Sequence, residues 1–363
     1  MTETTIEPTV IILLMAASLP RSRRILYASD LGGGSTATYR FGALRRLGQD
    51  MHAFNVLPYT PKNRYQNWLR FRYPVWPLVA RINRDLVKAV RTSRPEVVWF
   101  DKPIFFTRAT MRAIRKTGAK IVFYLQDAPF GPRNDGCWMQ FRKVLRKADL
   151  HCLVRQADVE RYSAWGLPWI GTLFSFDPAV HFPPPHGFND NNRDRAVSYI
   201  GFPYEQRPAF LLGLARDYKL PVFVNGSRWE QALTPEDQKA VTLGGYLAAD
   251  DYRSGIWRSA INLSFVTESN EDDIAHKAVE IAACGSFLLA VRTPGHQALF
   301  EEDKEAVFFS SLEECADKAR FYLGRPDLRE AIAARARVRA VSSGYDNDTQ
   351  MARILNRLDG KAD

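Results

Sequence analysis

Two stretches of alternating strand and helix signals, separated by a proline-rich break, constrain this chain more than any other feature. The first begins at Arg24. ILYAS reads as a strand, Gly32, Gly33 and Gly34 punctuate it, residues 36–47 carry helical periodicity and HAFNV returns to strand. EVVWF, a helix over 107–116, KIVFYL, a basic helix around 139–147 and a strand over 150–154 continue the alternation. Short, wholly apolar strands between helices predict parallel sheets covered on both faces. At 182–192 the sequence FPPPHGFNDNN breaks the periodicity as an interdomain linker does. The same grammar then restarts, with strands over 197–200, 222–225, 260–265 and 287–291 and helices over 207–218 and 274–284. Beyond Ser311 the text is helical, with a stop at Gly344 and a last helix over 349–358. The expected fold class is α/β, with two doubly wound domains facing across a cleft.

Composition agrees with this and removes other classes. At 363 residues the chain exceeds what one core usually organises, and 46% hydrophobic with 25% charged residues excludes a disordered, collagen-like or coiled-coil protein. The four cysteines form no CxxC pair and the six histidines no HxxxH pair, so neither a disulfide framework nor a metal site is expected. The apolar run at 10–17 follows Glu3 and Glu7 and falls short of the ~20 residues that span a bilayer, which argues against a signal peptide or membrane helix. A loosely docked extension is the preferred interpretation, with Met15 as an alternative start, and the compartment is expected to be cytoplasmic.

Charge divides the halves. Residues 1–190 hold 28 basic and 14 acidic side chains, whereas residues 191–363 hold 22 and 26. A positive first half attracts lipid headgroups, phosphorylated substrates or nucleic acid, and charge alone does not choose among them. Nucleic acid is the weakest of these, because the sequence has no RNP motif, zinc finger or repeated aromatic-basic platform. Two segments combine basic residues with aromatics: residues 64–94, with Trp68, Phe71, Tyr73 and Trp76, and residues 138–147, WMQFRKVLRK. In the second, Trp138, Phe141 and Leu145 form a stripe that suits either an interfacial helix on anionic lipid or, more ordinarily, a core-facing helix.

Ligands of doubly wound domains bind at the carboxyl ends of the strands, so the cleft is the candidate site. Asp30-Leu-Gly-Gly-Gly-Ser-Thr36 lies at a strand end and opens a helix, which makes Gly33, Gly34 and Ser35 an anion or acceptor loop or simply a tight turn. It fits neither GxGxxG nor a Walker motif. Residues 272–289, DDIAHKAVEIAACGSFLL, are the most informative. Lys277 and Glu280 fall on one helix face, with Asp272 in the loop before it. A carboxylate for ribose hydroxyls and a cation for a diphosphate are what a nucleotide-sugar site requires; a solvated Lys/Glu pair is the bland alternative.

The run HKAVEIAACGSFLLAVRTPGHQALFEEDKEAVFFSS resembles the signature of bacterial group 1 glycosyltransferases, in particular the CgeB-like branch. SYIGFPYEQRPAFLLGLAR with FVNGSRW resembles the opening of that family's donor domain, and ILYASDLGGGSTATYRFGALRRLG its acceptor domain. The resemblance implies the GT-B fold: an extension over 1–22, an acceptor-binding Rossmann-like domain over 23–181, a linker over 182–194, a donor-binding Rossmann-like domain over 195–343 and a C-terminal helix over 344–363 packing back on the first domain. It implies transfer of a sugar from a nucleoside-diphosphate sugar, with retention and without a metal or other cofactor, to a cell-envelope glycan, lipid-linked or protein hydroxyl, in a cytoplasmic enzyme that touches the inner face of the membrane.

The resemblance also assigns roles. Glu280 would bind the donor ribose and Asp272, where relatives have glutamate, the transferred sugar. Gly201, Arg207, Gly226, Arg228, His276 and Lys277 would surround the nucleotide and its diphosphate, although Phe202 replaces a common arginine. Asp127, after KIVFYL, would orient the acceptor hydroxyl or take its proton, or else cap a turn before Pro129. The altered Asp272 and Phe202 leave open a nonenzymatic sugar-binding protein, or an epimerase or hydrolase on the same fold. Asp346-Asn347-Asp348 imitates a metal-binding DxD but precedes a helix, where capping residues are expected.

Overall fold

The computed structural model describes residues 20–75, 77–132 and 136–361. Most of the expected extension, including the apolar run at 10–17, and Trp76 lie outside the described residues.

The first lobe runs β1 (Arg24–Ser29), α1 (Thr36–Arg46), β2 (Asp50–Asn55), α2 (Arg64–Arg72), α3 (Ala80–Ser93), β3 (Val97–Asp101), α4 (Arg108–Arg115), β4 (Lys120–Leu125), α5 (Met139–Val144), β5 (Leu150–Leu153), α6 (Gln156–Ala164) and β6 (Trp169–Gly171). Its strands form one parallel sheet in the order β2-β1-β3-β4-β5-β6. The chain steps from β1 to β2 on one side and then crosses to β3 on the other, so the β1 and β3 loops diverge. β3 and β4 are buried on both faces because helices cover both sides, which is why they read as unbroken apolar runs.

The second lobe runs β7 (Arg195–Ile200), α7 (Arg207–Arg216), β8 (Val222–Asn225), α8 (Trp229–Ala232), α9 (Pro235–Gln238), β9 (Thr242–Gly244), α10 (Ala249–Trp257), β10 (Ser259–Ser264), α11 (His276–Ala283), β11 (Leu288–Val291), α12 (Pro294–Leu299), β12 (Val307–Phe309), α13 (Leu312–Leu323), α14 (Pro326–Ser342) and α15 (Asn347–Leu358). The sheet order is β12-β11-β10-β7-β8-β9, again all parallel. Met351, Ile354, Leu355 and Leu358 of α15 join Ile25, Tyr27 and Val97 in the first lobe's core, so the last helix ties the lobes together. Asp346 caps α15, its carboxylate accepting from the Thr349 amide, and Asp348 pairs with Arg46 of α1. The DxD-like text is therefore a cap and an interlobe ion pair.

One expectation needs correction, and one open choice is decided in favour of its more ordinary reading. The helix expected over 139–147 ends at Val144 and tightens into a 3-10 turn. Its aromatic stripe faces inward, with Trp138 5% and Phe141 0% exposed against Phe123 and Phe130, so this segment offers no apolar face to a membrane. Strands β6, β9 and β12 and helices α2, α3, α6, α8, α9, α10 and α12 escape the sequence reading, most of them being short or of mixed pattern. The aromatic segment over 64–94 differs: Tyr65, Trp68 and Tyr73 are exposed at 68%, 53% and 45%.

Candidate functional site

β7 and β10 are neighbours in the sheet although β8 and β9 intervene in sequence, so the loops leaving them part and open a crevice. Gly201 and Phe202 follow β7, and Arg207 begins α7. The loop after β10 carries Asp272 and leads into α11, where His276, Lys277 and Glu280 share one side. Opposite stand the loops after β1, β3 and β4 of the first lobe.

Two adjoining cavities occupy the gap, and a third opens beside them. One of about 350 Å³ is lined by Gly34, Gly201, Gly226, Tyr252, Lys277 and Glu280. A second of about 320 Å³ is lined by Asp127, Phe202, Arg207, Asp272, His276 and Lys277. The third, about 530 Å³, lies in the first lobe against Ser35, Arg40, Arg70, Lys102 and Asp127. Gln126 lines all three and marks their junction.

Glu280 is buried, yet its carboxylate is well supplied with partners. The Tyr252 hydroxyl donates to Oε2 at 2.5 Å, and His181 and His276 each bring Nε2 to 3.6 Å from Oε1. Burial alone would push this carboxyl up; His276, His181, Tyr252 and Lys277 outweigh it and hold Glu280 below the ordinary carboxylate range. Glu280 is therefore ionised at neutral pH. Burial pulls Lys277 below its ordinary value, against the opposing effect of Glu280.

The imidazole of His276 is fixed by a chain that crosses the lobes. Arg40 Nη2 and Thr36 Oγ1 donate to Gln126 Oε1 at 2.8 and 2.7 Å, which turns the Gln126 amide nitrogen toward His276 Nδ1 at 3.3 Å. Nδ1 then accepts, and the proton sits on Nε2, which donates to the Ser175 carbonyl at 2.8 Å. Burial lowers the His276 pKa, so the ring is neutral at pH 7.

Arg207 donates to the Tyr199 hydroxyl at 3.0 Å and to the Val266 carbonyl and Thr267 hydroxyl at 2.9 and 2.8 Å. Among the described residues it makes no ion pair, although Glu205 feels its charge. Asp272 lines the same cavity, but its Oδ1 is taken by Arg155 of the first lobe, at 2.6 and 2.8 Å, and by Asn270 at 2.9 Å. Burial raises the Asp272 pKa while Arg155 and Asn270 pull it back. Asp127 pairs with Lys102 at 2.5 Å.

The glycines have distinct reasons. Gly226 has φ +145°, and a Cβ there would lie 2.1 Å from the Gly201 carbonyl, which also accepts from Trp229 Nε1 at 2.7 Å. Gly34 has φ +79° and approaches Tyr246 and Ala248 of the other lobe. Ser35 caps α1 and donates to the Asp30 carbonyl. The structure does not bring Gly33 or Arg228 to these cavities: a Cβ at Gly33 would meet nothing within 4 Å, and Arg228 is exposed at the start of α8.

Sequence reasoning missed Tyr252, His181, Gln126 and Arg155. Tyr252 sits in a helix with no motif and His181 at the edge of the linker. Gln126 precedes the chosen Asp127, and Arg155 follows β5; their positions at strand ends were the available signal.

Residues 207–356 match a protein-family model described as glycosyl transferase-like. No curated protein sequence matches the chain. Among solved structures, sucrose-phosphate synthase from Thermosynechococcus elongatus superposes with a TM-score of 0.69 at 12% identity, covering 93% of this chain and 100% of that one. Anabaena HepE in complex with UDP-glucose gives 0.64 at 14% identity, with 93% and 100% coverage. Trehalose-6-phosphate synthase, in a study of glycosyl transfer with retention using bisubstrate glycomimetics, gives 0.61 at 14%, with 93% and 99%. The chain therefore has the GT-B fold, and residues 207–356 of it match the glycosyl transferase-like family model.

Proposed function

We propose that this protein is a glycosyltransferase that moves a sugar, with retention of configuration, from a nucleoside-diphosphate sugar to a hydroxyl acceptor. The observation that carries this is Glu280, a buried and ionised carboxylate in the interlobe cavity beside Lys277 and within the same crevice as Arg207. Glu280 would accept two ribose hydroxyls. Arg207 and Lys277 would face the diphosphate, and Gly201 and Gly226 would let the nucleotide approach the backbone. The sequence resemblance to the CgeB-like branch, HepE's complex with UDP-glucose and the retention studied in trehalose-6-phosphate synthase support the same reading.

In the reaction, the acceptor oxygen bonds to the anomeric carbon as the bond from that carbon to the diphosphate oxygen breaks. Asp127 orients the acceptor hydroxyl and takes its proton, and the free Oδ2 of Asp272 contacts the transferred sugar. Charge building on the departing diphosphate meets Arg207 and Lys277, so the reading is metal-independent. His276, held by Gln126 and the Ser175 carbonyl, fixes one wall of the cavity.

The acceptor would be a bacterial cell-envelope glycan, lipid-linked or protein hydroxyl. Exposed Tyr65, Trp68 and Tyr73, with Arg64 and Arg72 on the same segment, support peripheral contact with an anionic membrane from the cytoplasmic side. Among the described residues, no helix is long and apolar enough to cross a membrane.

Calorimetry with UDP, GDP and ADP sugars, followed by nucleotide release with and without envelope extract, tests the proposal. Acceptor-dependent release supports transfer. Acceptor-independent release would point to hydrolysis, and a failure of every donor to bind would reject the assignment.

A further inference from the structure

Six arginines are buried among the described residues: Arg23, Arg40, Arg70, Arg155, Arg207 and Arg329. Four of them are neutralised by carboxylates, Arg23 by Asp359, Arg40 by Asp101, Arg155 by Asp272 and Arg329 by Asp190. Arg70 and Arg207 make no ion pair with a carboxylate among the described residues, although Glu205 feels the charge of Arg207, and each, like Arg329, leaves a buried Nε without a hydrogen-bond partner. A charge removed from water without a counter-ion is costly, so its persistence needs an explanation. For Arg207 the explanation is the donor diphosphate proposed above. Arg70 lines the other large cavity of the cleft, the one of about 530 Å³ in the first lobe.

Arg70 is set on α2 with its guanidinium held in place. Nη1 donates to the Tyr59 carbonyl at 2.5 Å, Nη2 to the Thr60 hydroxyl at 3.1 Å, and the group lies 4.4 Å from the centre of the Phe105 ring. These contacts fix its direction while supplying no negative charge. Burial pulls its pKa below the ordinary arginine value, as expected of a cation lacking a counter-ion. The contrast with Arg40 is local: both line this cavity, but Arg40 is compensated by Asp101 at 2.7 Å. Asn67 and Thr60 add polar groups, and Phe71, Phe105 and Ile104 an apolar wall.

We propose that Arg70 receives an anionic group of the acceptor, a phosphate monoester or a carboxylate, and so selects charged over neutral acceptors. This rests on the glycosyltransferase reading for the word acceptor, but not for the presence of the anion site. The cavity reaches Lys102 and Asp127, where it adjoins the donor-side cavity. An acceptor anchored by its anion at Arg70 would thus present a hydroxyl toward Asp127. Arg70 is a specificity-determining residue in this scheme, remote from the bonds that change.

The test titrates the full-length protein with inorganic phosphate and, separately, with acetate, in the presence of saturating UDP to occupy the donor side. Wild type is compared with Arg70→Gln and Arg70→Lys. Saturable anion binding that weakens at least about tenfold in R70Q and is retained in R70K, with UDP affinity equal in all three, is the expected result. The tighter of the two anions identifies the group as phosphate or carboxylate. Equal anion affinity in wild type and R70Q, or no saturable binding to wild type, overturns the proposal. Should R70Q fail to fold, protection of Arg70 in wild type from phenylglyoxal by phosphate, read by mass spectrometry, decides it, and absence of protection overturns it. If UDP does not bind wild type, the donor reading falls while the anion titration, run without UDP, still reports on Arg70.

Discussion

The Tyr252 hydroxyl donates to Glu280 at 2.5 Å, joining α10 to α11 across the mouth of the interlobe cavity. Burial, with Glu280 adding to it, raises the tyrosine pKa well above its usual value, so the phenol keeps its proton and remains a donor. A hydrogen bond to a carboxylate contributes about 1.5 to 3 kcal/mol. Tyr252→Phe is therefore expected to weaken UDP-sugar binding by about tenfold or more, and Glu280→Ala to abolish it. Calorimetry checks both, and unchanged affinity in E280A would remove Glu280 from the nucleotide site.

Arg155 links the lobes by holding Asp272, the Asn270 carbonyl and the Gln126 carbonyl at once. Truncating it strands a largely buried carboxylate. Arg155→Ala should cost about 3 kcal/mol, seen as a lower midpoint in urea unfolding. Asp272→Asn, which keeps an acceptor for the guanidinium, should cost clearly less; an equal loss would mean that the pair's charge, not its geometry, matters most.

His151 gives the stability a defined pH dependence. It is fully buried between Phe123 and Tyr162, and burial lowers its pKa from 6.5 to about 4. A depressed histidine keeps its folding contribution above the unfolded pKa and loses it as pH falls toward the folded value. Between pH 6.5 and 4 the wild type should lose about 3 kcal/mol from this group. Stability curves of His151→Leu should lack that component, and a parallel slope in both proteins would refute it.

Gly226→Ala should be strongly destabilising, because its φ and the closeness of the Gly201 carbonyl both exclude a Cβ. A loss of more than about 2 kcal/mol is expected from strain at such a position. Chemical denaturation measures it, and UDP-sugar affinity should fall in parallel as the β7 and β8 loops separate.

Tyr65 and Trp68 stack on one another at 6.0 Å and are exposed, so replacing both with alanine should leave the melting temperature within about 2 °C of wild type. Flotation with anionic vesicles at low salt should be reduced by the double change. Equal flotation would show that lipid contact does not use this segment.

What a reader could take from the chain alone follows from locality. Runs such as KIVFYL and EVVWF, the glycines after β1 and β7 and the prolines at 183–185 report on neighbours within a few residues, and these determined two doubly wound domains and their cleft. The spacing of Lys277 and Glu280 likewise determined that they share one helix face. Tertiary structure alone decided which side the Trp138 and Phe141 stripe faces, because core and solvent present the same helical period. It alone decided that Asp272 meets Arg155, that Gln126 orients His276, and that Arg40 finds a carboxylate while Arg70 does not. Those pairings join residues 61 to 150 positions apart. Strand order, set by packing of the whole sheet, brings them together, and no local pattern encodes which charge will be left without a partner.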